Sequence, residues 1–385
     1  MESTTTKSVT TTETSDGIVL VKLDMPGSSA NVLTVDLFAE LESTFSELQG
    51  RTDLRGLVLH SAKPSIFVAG ADLKRIVSTL DWADEEIIKF CEEGRAVMSR
   101  LNQMPFTTVA AIHGACVGGG LEIALWCDKR IASNDRKTIL GLPEVKLGLV
   151  PGWAGTVRLP RIASLEAALD LVTSGRVVKA NQAMDFGFVD QVVESADDLV
   201  DQSIALIQAE SFEAIKTSRE RLRAPVEGAN DADHLRSEFE QKITDNTAIY
   251  PFACNIVLDH MLSSAKLAEP EACHSESLAM ASVYGSEPSY GLLNNFFLGE
   301  HNKKQPGFVD VKLSQRAIEQ VGIVGAGLMG SSIASICLKS GCSVVLLDAD
   351  PKVASSVVQD CVRIKSQMAP VVRQQPNIRS LKTAI

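Results

Sequence analysis

The chain has 385 residues and a mass of 41.3 kDa, 45% of it apolar and 22% charged, enough for a sizeable core and, at ~100 to 200 residues per domain, for two or three units. Its 37 basic against 48 acidic residues give a formal charge of −11, and without a local basic patch this argues against nucleic acid or an anionic membrane surface as partner. Eight cysteines form no CxxC pair and no zinc-type cluster, so a reduced compartment and no metal site are expected. The uncharged stretch 101–121 is interrupted by Asn102, Gln103, Pro105, His113 and three glycines, which a transmembrane helix would not carry.

In chain order, residues 1–16 carry seven threonines in the first fourteen positions and are expected to form a disordered tail. They lack the apolar run of a secretory signal and the arginines of a transit peptide. Structure is expected from Gly17, with a strand in IVLVKLDM, a helix in the second half of 28–48, and a strand at 54–60. A turn at 61–65 leads through IFVAGADL into a helix that runs to about Met104 and is ended by Pro105. The run TTVAAI at 107–112 is a buried-strand candidate leading to Gly118-Gly119-Gly120 and a helix from Leu121. A strand near 188–193 closes this α/β core near residue 200. From there to about residue 305 the pattern is helical, broken at Pro225, Pro251, Pro270 and Pro288, and is taken as a connector. A second α/β unit begins near residue 316, and no internal repeat is visible.

The segment AAIHGACVGGGLEIALW places three glycines between a strand and a helix. Unpaired N–H groups at a helix start favour an anion, and glycine lets a ligand oxygen approach. Alone, the glycines fit tight strand–helix packing better than an anion site, and Glu122 could be an ordinary first-turn acid. However, Glu122 is followed by Ile123, Ala124, Leu125 and Trp126, the pattern of a buried helix, where a carboxylate is costly without a role or a partner. A second carboxylate, Glu144, follows Pro143 in a rigid loop context, and the Ala69–Gly70 turn offers another backbone N–H. Two donors and two carboxylates are the minimum set for chemistry at carbons α and β to a carbonyl. His113 fits a satisfied strand-end histidine better than a catalytic one, and Asp72 fits a helix cap.

Taken together, FVAGADL, GACVGGGLE and LPEVKLGLVPGWAGTVRLP resemble the crotonase (enoyl-CoA hydratase/isomerase) superfamily, in the family's order. The resemblance implies an α/β, ββα-spiral fold over 17–200, then a helical connector over 201–315. With GIVGAGLMG after it, the chain further resembles the α subunit of the trifunctional protein and of bacterial fatty-acid oxidation complexes. It implies an acyl-CoA thioester substrate, with the N–H groups of Ala69 and Gly119 as oxyanion hole. Glu122 would activate water and Glu144 would deliver a proton, or shuttle one alone in double-bond isomerisation. The hydratase step needs no cofactor. PGWAG in place of the commoner PGFGG puts Trp153 and Ala154 beside the acyl pocket, and the spacing of 22 from Glu122 to Glu144 is slightly long. Lys63 and Lys74 flank the AGAD loop, where CoA phosphates would need cations, but fit solvated surface better. A thiolase β subunit or further copies of the chain are the implied partners. The compartment would be cytoplasmic in a bacterium, or mitochondrial or peroxisomal in a eukaryote, with the cytoplasm favoured.

Gly325, Gly327 and Gly330 follow a strand and open a helix, with Asp348 21 residues after Gly327 at the end of the next strand. This is the NAD fingerprint: a tight turn, room for pyrophosphate, close packing, and an acid for the ribose hydroxyls. Only 60 residues follow Gly325, so 316–385 are expected to form an incomplete Rossmann segment, with a helix from Pro351 to about Met368, and no dehydrogenase activity. Two alternatives stand beside the hydratase: a bifunctional protein acting mainly as a 3-hydroxyacyl-CoA dehydrogenase, and an inactive thiolase-binding subunit.

Overall fold

The computed structural model describes residues 7–246, 249–304 and 318–350. It divides into two units, residues 1–305 and 306–385. The expected helix from Pro351 lies outside the described residues.

The strands of the first unit are β1 (Val9–Glu13), β2 (Ile18–Leu23), β3 (Gly56–Ser61), β4 (Ile66–Val68), β5 (Thr107–Ile112), β6 (Ala115–Val117), β7 (Lys129–Ser133), β8 (Ile139–Gly141) and β9 (Gln191–Val193). They form a six-stranded sheet, β1-β2-β3-β5-β7-β9, and a three-stranded sheet, β4-β6-β8. Three successive pairs, β3–β4, β5–β6 and β7–β8, each give one strand to the large sheet and one to the small sheet before the chain turns helical. All pairings are parallel except β1 with β2. The central β5 is buried at all six positions, which is why its sequence is apolar and small rather than alternating.

The first sixteen residues are not wholly a disordered tail. β1 pairs with β2 from Val9 opposite Leu23 to Glu13 opposite Val19, and its Val and Thr residues suit an edge strand with a single buried side chain. The N–H of Val9 donates to Glu40 Oε2 at 2.9 Å. The helix expected up to Met104 is instead a short helix Leu73–Val77, a turn, a helix Asp84–Ser99 and a 3₁₀ turn Arg100–Gln103. The hydroxyls of Ser78 and Thr79 donate back to the carbonyl of Arg75 and compete with helix continuation there.

Residues 199–304 are helical as expected, but they are not a separate connector. Helices Leu199–Ala209, Phe212–Arg223, Asp233–Asp245, Pro251–Ser264, Glu269–Val283 and Glu287–Lys304 lie in the same unit as the sheets. Val257, Met261, Ala272 and Met280 belong to the same buried cluster as Leu121 and Val157. Two ion pairs fasten them: Arg219 to Asp128 at 2.7 Å, and Arg158, stacked over Trp126, to Glu269 at 2.5 Å. Pro251, Pro270 and Pro288 sit in first turns and open helices rather than break them.

The second unit holds β10 (Gln320–Val324), a helix Leu328–Lys339 and β11 (Ser343–Leu347), with β10 and β11 parallel. Gly325 has φ +98°, and a β-carbon on Gly330 would stand 1.7 Å from the Gly325 carbonyl oxygen, the close packing the fingerprint requires. Asp348 directly follows β11; its Oδ2 accepts from the N–H of Ala326 at 2.6 Å, and that bond holds its carboxyl below the usual range.

Candidate active site

The glycine triplet lies where β6 passes into the helix Gly119–Trp126, every residue of which is buried. Gly118 has φ +56° and ψ −131°, a conformation that side chains resist. The helix runs so close to β4 that a β-carbon on Gly120 would stand 2.1 Å from the Val68 carbonyl oxygen. These constraints aim the helix start into a cavity of about 270 Å³. Glu122 and Glu144 both line it, together with Ala69, Gly70, Ala71, Gly119, Leu149, Val150 and Trp153. The walls are otherwise mostly apolar, as an acyl chain would need.

The two carboxylates have different surroundings. Glu122 is 2% exposed, and its Oε1 accepts from the N–H groups of Trp153 at 2.7 Å and Gly155 at 2.9 Å. Burial beside the Glu276 and Glu144 charges pushes its carboxyl up, while the two N–H bonds pull against that by favouring the ionised form. Glu144 sits on the turn Glu144–Leu147 just after Pro143, and its buried Oε2 has no hydrogen-bond partner. Burial pushes its carboxyl up to about 8, which favours the protonated form.

The oxyanion donors need one correction. The N–H of Ala69 donates to the Asn31 carbonyl at 2.9 Å, inside the fold, and is not available to a ligand. Gly70, at φ +97°, then turns the chain, and the N–H of Ala71, also in the cavity wall, makes no backbone hydrogen bond. A β-carbon on Gly70 would stand 3.7 Å from the Gly119 nitrogen, so this turn lies beside the helix start. The Gly119 N–H is in the first helical turn and likewise makes no backbone bond.

Other candidates behave as their chemistry suggests. Asp72 caps the helix Leu73–Val77, accepting from the N–H of Lys74. His113 Nε2 bonds the Lys63 carbonyl oxygen. Lys63 is not solvated surface: it is buried, with Nζ 2.6 Å from Asp24 and donating to the Met25 carbonyl. Trp153 packs between Phe38 and Phe90 at ring separations of 5.1 and 5.6 Å and closes one side of the cavity. Ala154 is not in the wall; its N–H is held by Glu276.

Sequence reasoning missed Glu276, Met280 and Phe296, which the helical segment brings to the site or its rim. A signal existed: Ala272, Cys273, Ser277 and Met280 form the buried stripe of the helix Glu269–Val283, and Glu276 stands in the middle of it, wholly buried. Among the described residues no cluster of His, Cys, Asp and Glu could hold a metal ion, and no helix is long and apolar enough to cross a membrane.

Strands given alternately to two sheets, with two carboxylates and a glycine-lined helix start at one cavity, define a crotonase-type enzyme. The family model described as enoyl-CoA hydratase/isomerase matches residues 13–248, more than half of the chain, and the chain belongs to that family. A second model, the NAD-binding domain of 3-hydroxyacyl-CoA dehydrogenase, matches residues 320–382, so the two domains follow the pattern of multifunctional fatty-acid oxidation proteins. Among solved structures, DspI of Pseudomonas aeruginosa is 27% identical with a TM-score of 0.50, covering 62% of this chain and 96% of its own. Human mitochondrial delta3-delta2-enoyl-CoA isomerase is 21% identical with a TM-score of 0.55, covering 78% of this chain and 100% of its own. The enoyl-CoA hydratase of Bacillus halodurans is 19% identical with a TM-score of 0.54, covering 75% and 100%. At these last two identities the likeness is one of fold.

Proposed function

We propose that the chain hydrates 2-enoyl-CoA thioesters to 3-hydroxyacyl-CoA. The observation that carries this reading is the contrast at one apolar cavity between Glu122, held by two N–H groups, and Glu144, whose Oε2 has no partner. The thioester oxygen lies at the N–H of Gly119 and, in place of Ala69, that of Ala71, where enolate charge is stabilised as it develops. Glu122, as carboxylate, takes a proton from a water that adds at Cβ. Glu144, as acid, gives its proton to Cα. With a 3-enoyl thioester, Glu144 in its ionised form works alone, removing a proton from Cα and returning it at Cγ, which is isomerisation. The hydratase step uses no cofactor.

The second unit is proposed to bind NAD through Gly325, Gly327, Gly330 and Asp348. Association with a thiolase-type subunit, or with further copies of this chain, is part of the same proposal and rests on the family resemblance alone. Loss of the enoyl-thioester absorbance of a 2-enoyl-CoA tests the reading. The wild type should consume the substrate, and Glu144→Gln should slow it by ~10² to 10⁴-fold, the usual loss for acid–base work. A variant that keeps most of its rate would overturn the assignment.

A further inference from the structure

A third carboxylate stands behind the two in the cavity. Glu276 is 0% exposed, on the helix Glu269–Val283, and does not line the cavity. Its Oε1 accepts from the N–H of Ala154 at 2.5 Å, and its Oε2 accepts from the N–H of Thr156 at 2.9 Å and from the Thr156 hydroxyl. The amides of Trp153, just before, and Gly155, between them, hold Glu122. Four consecutive N–H groups thus alternate between two buried carboxylates. Within this turn Ala154 takes φ +81°, the one positive φ at a non-glycine position among the described residues. Such strain persists only where surrounding contacts over-determine it.

We propose that Glu276 is a positioning residue of the active site, fixing the turn 153–156 so that its other two amides place the Glu122 carboxylate at the cavity. This rests on the hydratase reading for its kinetic consequence, while the clamp itself stands on the hydrogen bonds. A buried carboxylate that accepts three donors is expensive to bury and strongly held once they are in place. Its support extends outward. The Thr156 hydroxyl has one proton, which goes to Glu276, so His260 Nε2 donates to it at 2.9 Å and His260 Nδ1 accepts from Ser275 at 3.0 Å. His260 is held neutral, its pKa lowered to about 4 by burial, which suits that arrangement.

The charged and titratable groups around Glu276 are few. Burial pushes the Glu276 carboxyl up to about 6 against the pull of the Thr156 hydroxyl and of Arg95, which the helix Asp84–Ser99 brings along with the Cys91 thiol. Glu122 and Glu144 face it from the cavity side, and Arg161 from the helix Gly155–Ile162. His260 lies on the helix Pro251–Ser264, and Cys273 and Glu269 lie on its own helix, Glu269 being paired with Arg158. From the helix Phe212–Arg223, Arg219 is engaged with Asp128. The negative charge of Glu276 therefore bears chiefly on Glu122 and Glu144, raising both.

The test uses the full chain with Glu276→Gln, Glu276→Asp and the milder Thr156→Val, which removes only a hydroxyl. For Glu276→Gln, hydrogen exchange of the amides at 153–156 should accelerate. The kcat for 2-enoyl-CoA hydration should fall about 10²-fold with KM within about threefold, as for a misplaced reacting group. With one negative charge gone, the high-pH limb of kcat should move to lower pH. Glu276→Asp keeps the charge, so the limb should stay while kcat recovers in part. Thr156→Val should loosen the same amides and lower kcat less. Unchanged exchange and kcat in Glu276→Gln would overturn the proposal, as would a fall in kcat that only follows the loss of folded protein on melting, with the pH limb unmoved. If the wild type hydrates no enoyl-CoA, the function fails separately, and the exchange measurement still decides the clamp.

Discussion

Glu144 occupies the space a side chain at Gly118 would need: a β-carbon on Gly118 would stand 2.8 Å from Glu144 Oε1. The glycine that lets the chain turn into the helix Gly119–Trp126 also makes room for the proposed proton donor. Gly118→Ala combines two effects. The strained φ of +56° should cost about 1–3 kcal/mol of stability. The displaced carboxylate should lower kcat for hydration by about 10²-fold, the scale of a misplacement near 1 Å. Chemical denaturation and steady-state kinetics on one preparation check both, and an unaffected kcat would show that Glu144 does not act from this position.

Stability should carry the mark of Glu144. Its folded pKa of about 8 lies above the ordinary 4.5, so between those values the folded state holds a proton that the unfolded state has lost. Stability from this group is therefore full below 4.5, is lost as pH rises toward 8, and levels off above that. Glu144→Gln removes the penalty: its Tm should exceed the wild type's by a few degrees above pH 8 and match it below 4.5. His260 adds an acid-side loss, from its ordinary 6.5 down to about 4, that both proteins share. The difference between two thermal-melt series reports Glu144 together with its effect on the neighbouring Glu122 carboxyl, and a difference that shrinks with rising pH would reverse the sign argued here.

Gly94 should behave against its helix propensity. It lies inside the helix Asp84–Ser99, where alanine is ordinarily better by about 1 kcal/mol. Here an added β-carbon would stand 2.3 Å from Trp153 Nε1, and that ring is confined by Phe38 and Phe90. Gly94→Ala should therefore destabilise by about 1–3 kcal/mol through overpacking. It should also press the indole into the cavity, so that KM rises more for long acyl chains than for short ones. A series of 2-enoyl-CoAs of increasing length measures this, and equal changes at every length would exclude Trp153 as a pocket wall.

What could be read from the sequence followed local chemistry. Glu122 stood out because four apolar residues follow it, and the fingerprint because strand, glycines, helix and Asp348 succeed one another within one short segment. The small sheet β4-β6-β8 was illegible because its three-residue strands are too short for a period of two. Glu276 lies 120 residues from Thr156, a distance over which no periodicity speaks. The Ala69 N–H looked available only because its acceptor, Asn31, is fixed by tertiary contacts to Leu23, Ser61 and Phe67.

The division of labour between the carboxylates is the centre of the account, and Glu122→Gln tests it most directly. A single oxygen of Glu122, Oε1, accepts both amides, so a glutamine can keep the turn while losing the base. Assayed on matched substrates, the variant should lose hydration of 2-enoyl-CoA by ~10² to 10⁴-fold and keep isomerisation of 3-enoyl-CoA within about tenfold. Retained hydration, or an equal loss of both reactions, would contradict the assignment of water to Glu122 and the proton to Glu144.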